Sequence, residues 1–78
     1  MIVRTAEELG ALIRRRRKSQ GLTIEELASV VPCSPRLLSE LERGKRGVSI
    51  TMLLQIMALI GLEMDLYGRE EYPDRRRR

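Results

Sequence analysis

The side chains of this 78-residue sequence that are best suited to chemistry are its cations, which occur in three groups. Residues 14–18 are all basic, Arg43, Lys45 and Arg46 lie close together, and residues 75–78 are all Arg. Lysine and arginine number 15 against 11 acidic residues, so the net charge of +4 equals the contribution of the last four arginines. Because guanidinium and ammonium groups bind phosphate oxygens, each group is a candidate for phosphate contact, and residues 75–78 are equally consistent with a disordered tail.

The first basic group has two interpretations. Five consecutive residues point to all sides of a helix, so they cannot all face one ligand. Arg14 and Arg17 are predicted on one side, Arg15 and Lys18 on another, and Arg16 at the edge of the core. The alternative to a binding role is a solvated face that complements the negative end of the helix dipole.

Groups that catalysis or metal binding would need are scarce. The sequence has no histidine and one cysteine, Cys33, which excludes an internal disulfide and leaves a Cys/His zinc site without ligands. The adjacent acids at 7–8 and 25–26 are placed to cap helices, and no apolar run approaches the roughly 20 residues of a membrane span. We therefore expect a cytoplasmic protein that is not an enzyme and uses no metal or cofactor.

Cap residues and hydrophobic periodicity predict four helices. Thr5-Ala-Glu-Glu8 and Thr23-Ile-Glu-Glu26 are capping boxes that begin the first two helices. Gly21 is placed to end the first helix and Pro32 the second. Glycine tolerates the left-handed conformation, and proline disfavours helical backbone in the residue before it.

The third helix is predicted to start with Ser34 at its N-cap and Pro35 at its first position, and to end at Gly44. A fourth helix follows Ser49 and ends at Gly61. Because apolar residues cover most of its circumference, we expect it to be the most buried helix. Its apolar positions are Ile50, Leu53, Leu54, Ile56, Met57 and Ile60.

After Gly61 the hydrophobic period changes to two, which predicts a short strand over residues 62–67. A lone strand needs a ladder partner. Residues 2–4 are one candidate, and the same strand of a second copy is the other, which we favour because residues 2–4 are so few.

The predicted fold is all-α, a compact four-helix domain with a possible fifth short turn, plus a C-terminal β-strand paired across a homodimer. The domain spans residues 1–67, and a flexible basic tail spans residues 68–78.

The second and third helices and their short connection have the pattern of a helix-turn-helix. The stretch GLTIEELASVVPCSPRLLSELERG, above all its ending Leu38-Ser-Glu-Leu-Glu-Arg-Gly44, resembles the phage-repressor and Cro-like (Xre) family, which has the lambda-repressor-like fold. With the following ALIGLEMDLYGRE, the chain is most similar to short HipB-type antitoxins. The resemblance implies a sequence-specific DNA-binding transcriptional regulator. It would be a homodimeric repressor that binds a palindromic operator in double-stranded DNA and neutralises a HipA-like kinase toxin.

The resemblance also implies roles for single residues. The third helix is expected to enter the major groove with its N-terminal residues at base edges. Arg36 is the strongest candidate for base contact, because its planar fork matches the two acceptors of guanine, and Ser39 and Glu40 are the others. The phosphate-contact candidates are Thr23, Ser34, Arg43, Lys45 and Arg46, and the dimerisation candidates are Leu62, Met64, Leu66 and Tyr67.

Three positions favour an alternative function, a protein-interaction module whose helix-turn-helix reads DNA weakly or not at all. The family usually has Gln where this chain has Ile24, Gly where it has Pro32, and a polar residue where it has Pro35. An acidic C-terminal section is then a candidate surface for a basic partner. A third option, RNA binding, has only Tyr67 and Tyr72 for stacking on bases. The acidic section comprises Glu63, Asp65, Glu70, Glu71 and Asp74.

Overall fold

The computed structural model describes residues 2–71, which form four α-helices and one short 3₁₀ helix. The predicted four-helix, all-α fold is confirmed. Within the described range no helix is long and apolar enough to cross a membrane, and no cluster of His, Cys, Asp or Glu is placed to hold a metal ion. In chain order the elements are α1 (Ala6–Ser19), α2 (Ile24–Val30), α3 (Pro35–Glu42), α4 (Ile50–Leu59) and the 3₁₀ helix (Arg69–Glu71).

The helices begin at the predicted cap residues. Thr5 Oγ1 accepts a hydrogen bond from the Glu8 N–H at 3.0 Å, and Glu8 Oε1 accepts one from the Thr5 N–H at 3.2 Å. This reciprocal pair satisfies two N–H groups that the first turn of a helix leaves open. The caps of the other helices are Thr23 with Glu26, Ser34, and Ser49.

Glycine in the left-handed conformation ends α1, α3 and α4, as predicted. At the end of α4, Gly61 has a φ of 75° and the Leu62 N–H donates to the Met57 carbonyl at 2.8 Å, which is the closing bond of a Schellman motif. Gly44 has a φ of 73°, and a Cβ added to it would lie 2.6 Å from the Glu7 Cα. The end of α3 therefore packs directly against the start of α1.

The hydrophobic core lies between the four helices. The predicted stripe of α2 is buried at Leu27 and Ala28, continues at Val31 just beyond the helix, and is half-buried at Ile24. Since these side chains lie on one face, α2 is held to the domain by a single apolar stripe. The buried apolar residues are Ile13, Leu27, Ala28, Val31, Leu38, Leu41, Ile56, Met57 and Ile60.

The prediction that α4 is the most enclosed helix was wrong. Ile56 is fully buried, but Ile50 and Leu54 are 60% and 48% exposed, and Leu59 is 47% exposed. Only one side of α4 packs against the other helices, so the apolar residues on its other side form an open surface. Composition alone does not separate a helix that is enclosed by its own chain from one that keeps an apolar face for another.

The predicted C-terminal strand is not present in this single chain. Residues 62–68 form neither helix nor strand, and no backbone hydrogen bond joins them to residues 2–4. A strand exists only with a ladder partner, and residues 2–4 do not supply one. The four dimerisation candidates differ in burial. Leu62 packs against the chain's own core, while Met64, Leu66 and Tyr67 are exposed.

Two hydrogen bonds lie at the start of the segment predicted as a flexible basic tail, and its flexibility stays a prediction. The Gly68 N–H donates to Glu71 Oε1 at 3.2 Å, and the Glu71 N–H donates to the Gly68 carbonyl at 2.9 Å. These two bonds close the 3₁₀ turn Arg69–Glu71. The rest of the predicted tail, residues 72–78, lies outside the described residues.

Candidate nucleic-acid interface

The connection between α2 and α3 is built around Pro32. Val31 is extended (φ −111°, ψ 144°), and its carbonyl accepts a hydrogen bond from the Cys33 N–H at 2.7 Å. A bond that spans three residues defines a γ-turn, and the inverse form of this turn needs a negative φ close to that of proline. The connection therefore needs no residue with positive φ where the family usually has glycine. Burial raises the pKa of the Cys33 thiol in this turn, which favours the neutral form.

The C-terminal end of α3 is joined to α1 by a buried ion pair that sequence analysis did not predict. Arg17 donates from Nε and Nη2 to the two Glu42 oxygens at 2.7 and 3.0 Å, and from Nη1 to the Leu22 carbonyl at 2.7 Å. The hydrogen bond with Glu42 raises the pKa of Arg17. A Cβ on Gly10 would clash with the carbonyl oxygens of Leu41 and Glu42, so glycine allows this close approach.

The sequence spacing contains a signal for the buried pair. Arg17 follows Ile13 by one helical turn, and both are buried on the same face of α1. Arg14 and Arg17 line one groove, in agreement with the predicted shared side, but only Arg17 is buried. Arg16 has the predicted place at the edge of the core, where its Nε donates to the Ile60 carbonyl at 2.7 Å.

On the outward side of α3, three candidate residues form one cluster. Glu40 accepts from Arg36 Nε and from Arg46 Nη1, each at 3.3 Å. The Arg36 side chain is 88% exposed, that of Arg46 is 53% exposed and that of Glu40 is 21% exposed. The hydrogen bond from Arg36 is the main reason that the pKa of the Glu40 carboxyl is lowered. Both oxygens of this carboxylate are therefore occupied by arginines of the same chain.

Ser39 and Arg43 lie one helical turn apart and line a groove between α1 and α3. Lys45 lies just beyond the end of α3, and its N–H donates to the Glu40 carbonyl at 2.9 Å, which closes the helix. The Lys45 side chain is exposed to solvent. The predicted base and phosphate candidates thus fall on the outward cluster, the groove wall and the loop after α3.

Thr23 and Ser34 support the first turns of α2 and α3. Thr23 Oγ1 accepts from the Glu26 N–H and Ser34 Oγ accepts from the Leu37 N–H, each at 3.0 Å. A hydroxyl that accepts a hydrogen bond still has its own proton to donate. Both residues are exposed at helix N-termini, where backbone N–H groups also favour an anion. Capping and phosphate contact are therefore compatible at these two positions.

Comparison with known proteins agrees with this geometry. The sequence profile of a family described as a helix-turn-helix domain matches residues 8–67. The chain belongs to this helix-turn-helix family. The matched range includes α2, α3 and α4, so the predicted resemblance to the Xre-like members is confirmed.

The relatives of this helix-turn-helix chain include transcriptional regulators. The uncharacterized HTH-type transcriptional regulator y4mF of Sinorhizobium fredii is 35% identical over 69 residues, which cover 88% of this chain and 91% of y4mF. The clp gene regulator ClgR of C. glutamicum shares 42% identity and a TM-score of 0.69, covering 73% of each chain. HipB, in its complex with the O4 20mer, has a TM-score of 0.75 at 20% identity, covering 88% of this chain and 97% of HipB.

Proposed function

We propose that this chain is a sequence-specific DNA-binding transcriptional regulator that acts as a dimeric repressor. The observation that carries the proposal is the outward face of α3, where Arg36 has 88% of its side chain exposed beside a basic loop. The family membership supports DNA binding, and the names of y4mF and ClgR support regulation.

Arg36 is the side chain that we assign to base reading, with Ser39 and Glu40 beside it. An exposed ion pair at 3.3 Å is weak in water, because solvent screens both charges. Arg36 can therefore leave Glu40 for the O6 and N7 acceptors of a guanine at little cost. The neighbouring cations of the loop, Lys45 and Arg46, contact phosphates and so position the helix without reading sequence.

The open apolar surface of α4 supports the dimer. Ile50 and Leu54 on this helix are about half exposed, and Leu66 in the segment that follows is 82% exposed. Exposed apolar side chains at this density are a feature of interaction surfaces, and a two-fold axis would place two recognition helices roughly 34 Å apart, one turn of DNA. Pairing of residues 62–67 across the two copies remains the predicted form of the contact.

A HipA-like kinase toxin is the protein partner that we propose for the dimer. The support is the fold shared with HipB, which is also found in a HipA-HipB-O2-O3 complex and has a TM-score of 0.75 to this chain. ClgR, at the higher identity of 42%, favours a second candidate, a gene regulator with no toxin partner.

Selection of fragmented genomic DNA on the purified protein tests the proposal. Enrichment of one inverted repeat in the presence of nonspecific competitor is expected, and the genes beside the site distinguish the two candidates. Arg36→Ala should lose the enrichment, while Arg69→Ala, which removes the same charge from the exposed 3₁₀ turn, should retain it. No enrichment with folded protein would instead favour the protein-interaction module.

Sedimentation of full-length variants tests the dimer separately. Leu66→Glu places a charge on the proposed contact surface and is expected to give monomers. Val30→Glu places the same charge on α2, at another exposed apolar position with 62% exposure, and should leave the mass unchanged. Equal masses for the two variants would contradict a dimer contact at Leu66.

A further inference from the structure

A groove between α1 and α3, lined also by Ile24 at the start of α2, has a basic rim whose α1 cations have no part in the contacts proposed so far. Five basic side chains and one acidic side chain line it. The acid is Glu42, which is neutralised by Arg17 in the buried pair. The acid within the groove is therefore already paired, and the exposed cations on its rim include Arg14, Lys18 and Arg43.

The groove is continuous with the face of α3 that we assign to DNA. Ser39, which lines the groove, follows Arg36 by three residues and so lies on the same side of the helix. Ile24 lines the groove at the first position of α2, and its side chain has no hydrogen-bond donor. The surrounding cations supply the charged side chains that Ile24 does not.

We propose that Arg14, Lys18 and Arg43 form a binding site for backbone phosphates of the DNA that flanks the bases contacted by α3. This site rests on the proposed function and extends it from α3 to α1. The walls of the groove are fixed relative to each other, because the Arg17–Glu42 pair joins α1 to α3 at 2.7 Å. The exposed cations therefore project from two helices whose relative position is fixed, which lowers the entropy cost of binding an anion.

The test compares two full-length double variants with equal charge. Arg14→Gln with Lys18→Gln removes two charges from the groove, and Arg4→Gln with Arg69→Gln removes two exposed charges elsewhere. Binding to a short mixed-sequence DNA duplex is followed by fluorescence anisotropy from about 50 to 200 mM salt. For the groove variant we expect roughly tenfold weaker binding, and a slope of log K against log salt that is shallower by about 0.9 per lost contact.

Three results would overturn the phosphate site. Equal slopes for the groove variant and the control would do so while leaving the proposed function in place, because the wild-type protein would still bind. Absence of duplex binding by the wild-type protein would overturn both. Arg14→Lys with Lys18→Arg keeps both charges and should keep the wild-type slope; weaker binding by this variant too would show that shape, not charge, produces the effect.

Discussion

Two arginine–carboxylate pairs lie on opposite sides of α3 and differ mainly in their exposure. Arg17 and Glu42 meet at 2.7 Å with side chains that are 6% and 3% exposed. Arg36 and Glu40 meet at 3.3 Å with side chains that are 88% and 21% exposed. The chemical groups are the same, so we attribute different roles to the two pairs because of their different access to water.

Burial makes the inner pair structural. The cost of removing two charges from water is offset only while both partners and their hydrogen bonds are present, and here the bond to Leu22 completes the set. The outer pair has no such constraint, because water solvates either partner when they separate. The inner pair therefore fixes where α3 lies, and the outer pair leaves Arg36 available for exchange.

Glu42→Ala should have the largest effect of the substitutions in the two pairs. It leaves the guanidinium of Arg17 buried without its acceptor, which is expected to destabilise the domain by about 3–5 kcal/mol. Denaturant unfolding followed by circular dichroism measures the change. Glu40→Ala removes the same group from the outer pair and should leave the unfolding midpoint in place. Similar midpoints for the two variants would contradict the structural role of the inner pair.

Arg36→Ala tests whether Arg36 leaves Glu40 to contact a base. A base-reading arginine is worth about 1–3 kcal/mol of discrimination, so the variant should bind the selected site and a site altered at one base with more similar affinity. Competition titrations on the two duplexes measure the ratio. Arg69→Ala is the control, since it removes one exposed arginine from the 3₁₀ turn. An unchanged ratio for Arg36→Ala would remove this residue from base reading.

The helix boundaries were predictable because their causes are local. Capping boxes join residues three apart, as Thr5 and Glu8 do, and the glycine stops depend on a single backbone angle. The burial of α4 was not predictable in the same way, since it depends on which of its sides the rest of the chain covers. The strand over residues 62–67 is a harder case, because its predicted partner belongs to a second copy.

The candidate site was predictable only for residues on the outside of α3. Position on a capped helix places Arg36 and Glu40 one turn apart, and their contact follows from that spacing. The pair of Arg17 with Glu42 joins residues 25 apart in sequence, and no local pattern selects one carboxylate from 11. Among the five consecutive basic residues, the spacing of one helical turn from Ile13 indicates Arg17 as the buried one, but it does not identify the carboxylate that Arg17 contacts.

The two cations of the loop after α3 differ in whether they contact an acid. Within the described residues the Lys45 side chain forms no ion pair, whereas Arg46 contacts Glu40. Lys45→Ala should therefore weaken binding to every duplex and flatten its salt dependence by about 0.9 in slope. Arg46→Ala should have a smaller effect, because Arg46 must give up its contact with Glu40 before it binds a phosphate. Salt titrations on an unselected duplex measure both, and a change confined to sequence preference would contradict the phosphate assignment.

Glu40→Gln should produce the smallest effect, and in the opposite direction. The substitution removes a negative charge from the face that we propose for DNA and weakens the hold on Arg36 and Arg46, so binding to all duplexes is expected to tighten by a factor of roughly two to five at low salt. Lowering the pH is a poor way to remove the charge of Glu40, which Glu40→Gln removes directly. Because Arg36 lowers the pKa of Glu40, the carboxylate stays ionised to more acid pH than an isolated glutamate. Any stability that the pair supplies is present above the unfolded-state pKa and is lost only as pH falls through the folded-state pKa.

The matched control for Glu40→Gln is Glu63→Gln, which removes an exposed acid from the segment after α4. If the charge matters by its place beside Arg36 and Arg46, the control should tighten binding less than Glu40→Gln does. If the two variants tighten binding equally, then only the net charge of the protein is at work. In that case the contact with Glu40 would have no separate role in holding Arg36. The outer and inner pairs would then differ only in what they contribute to stability.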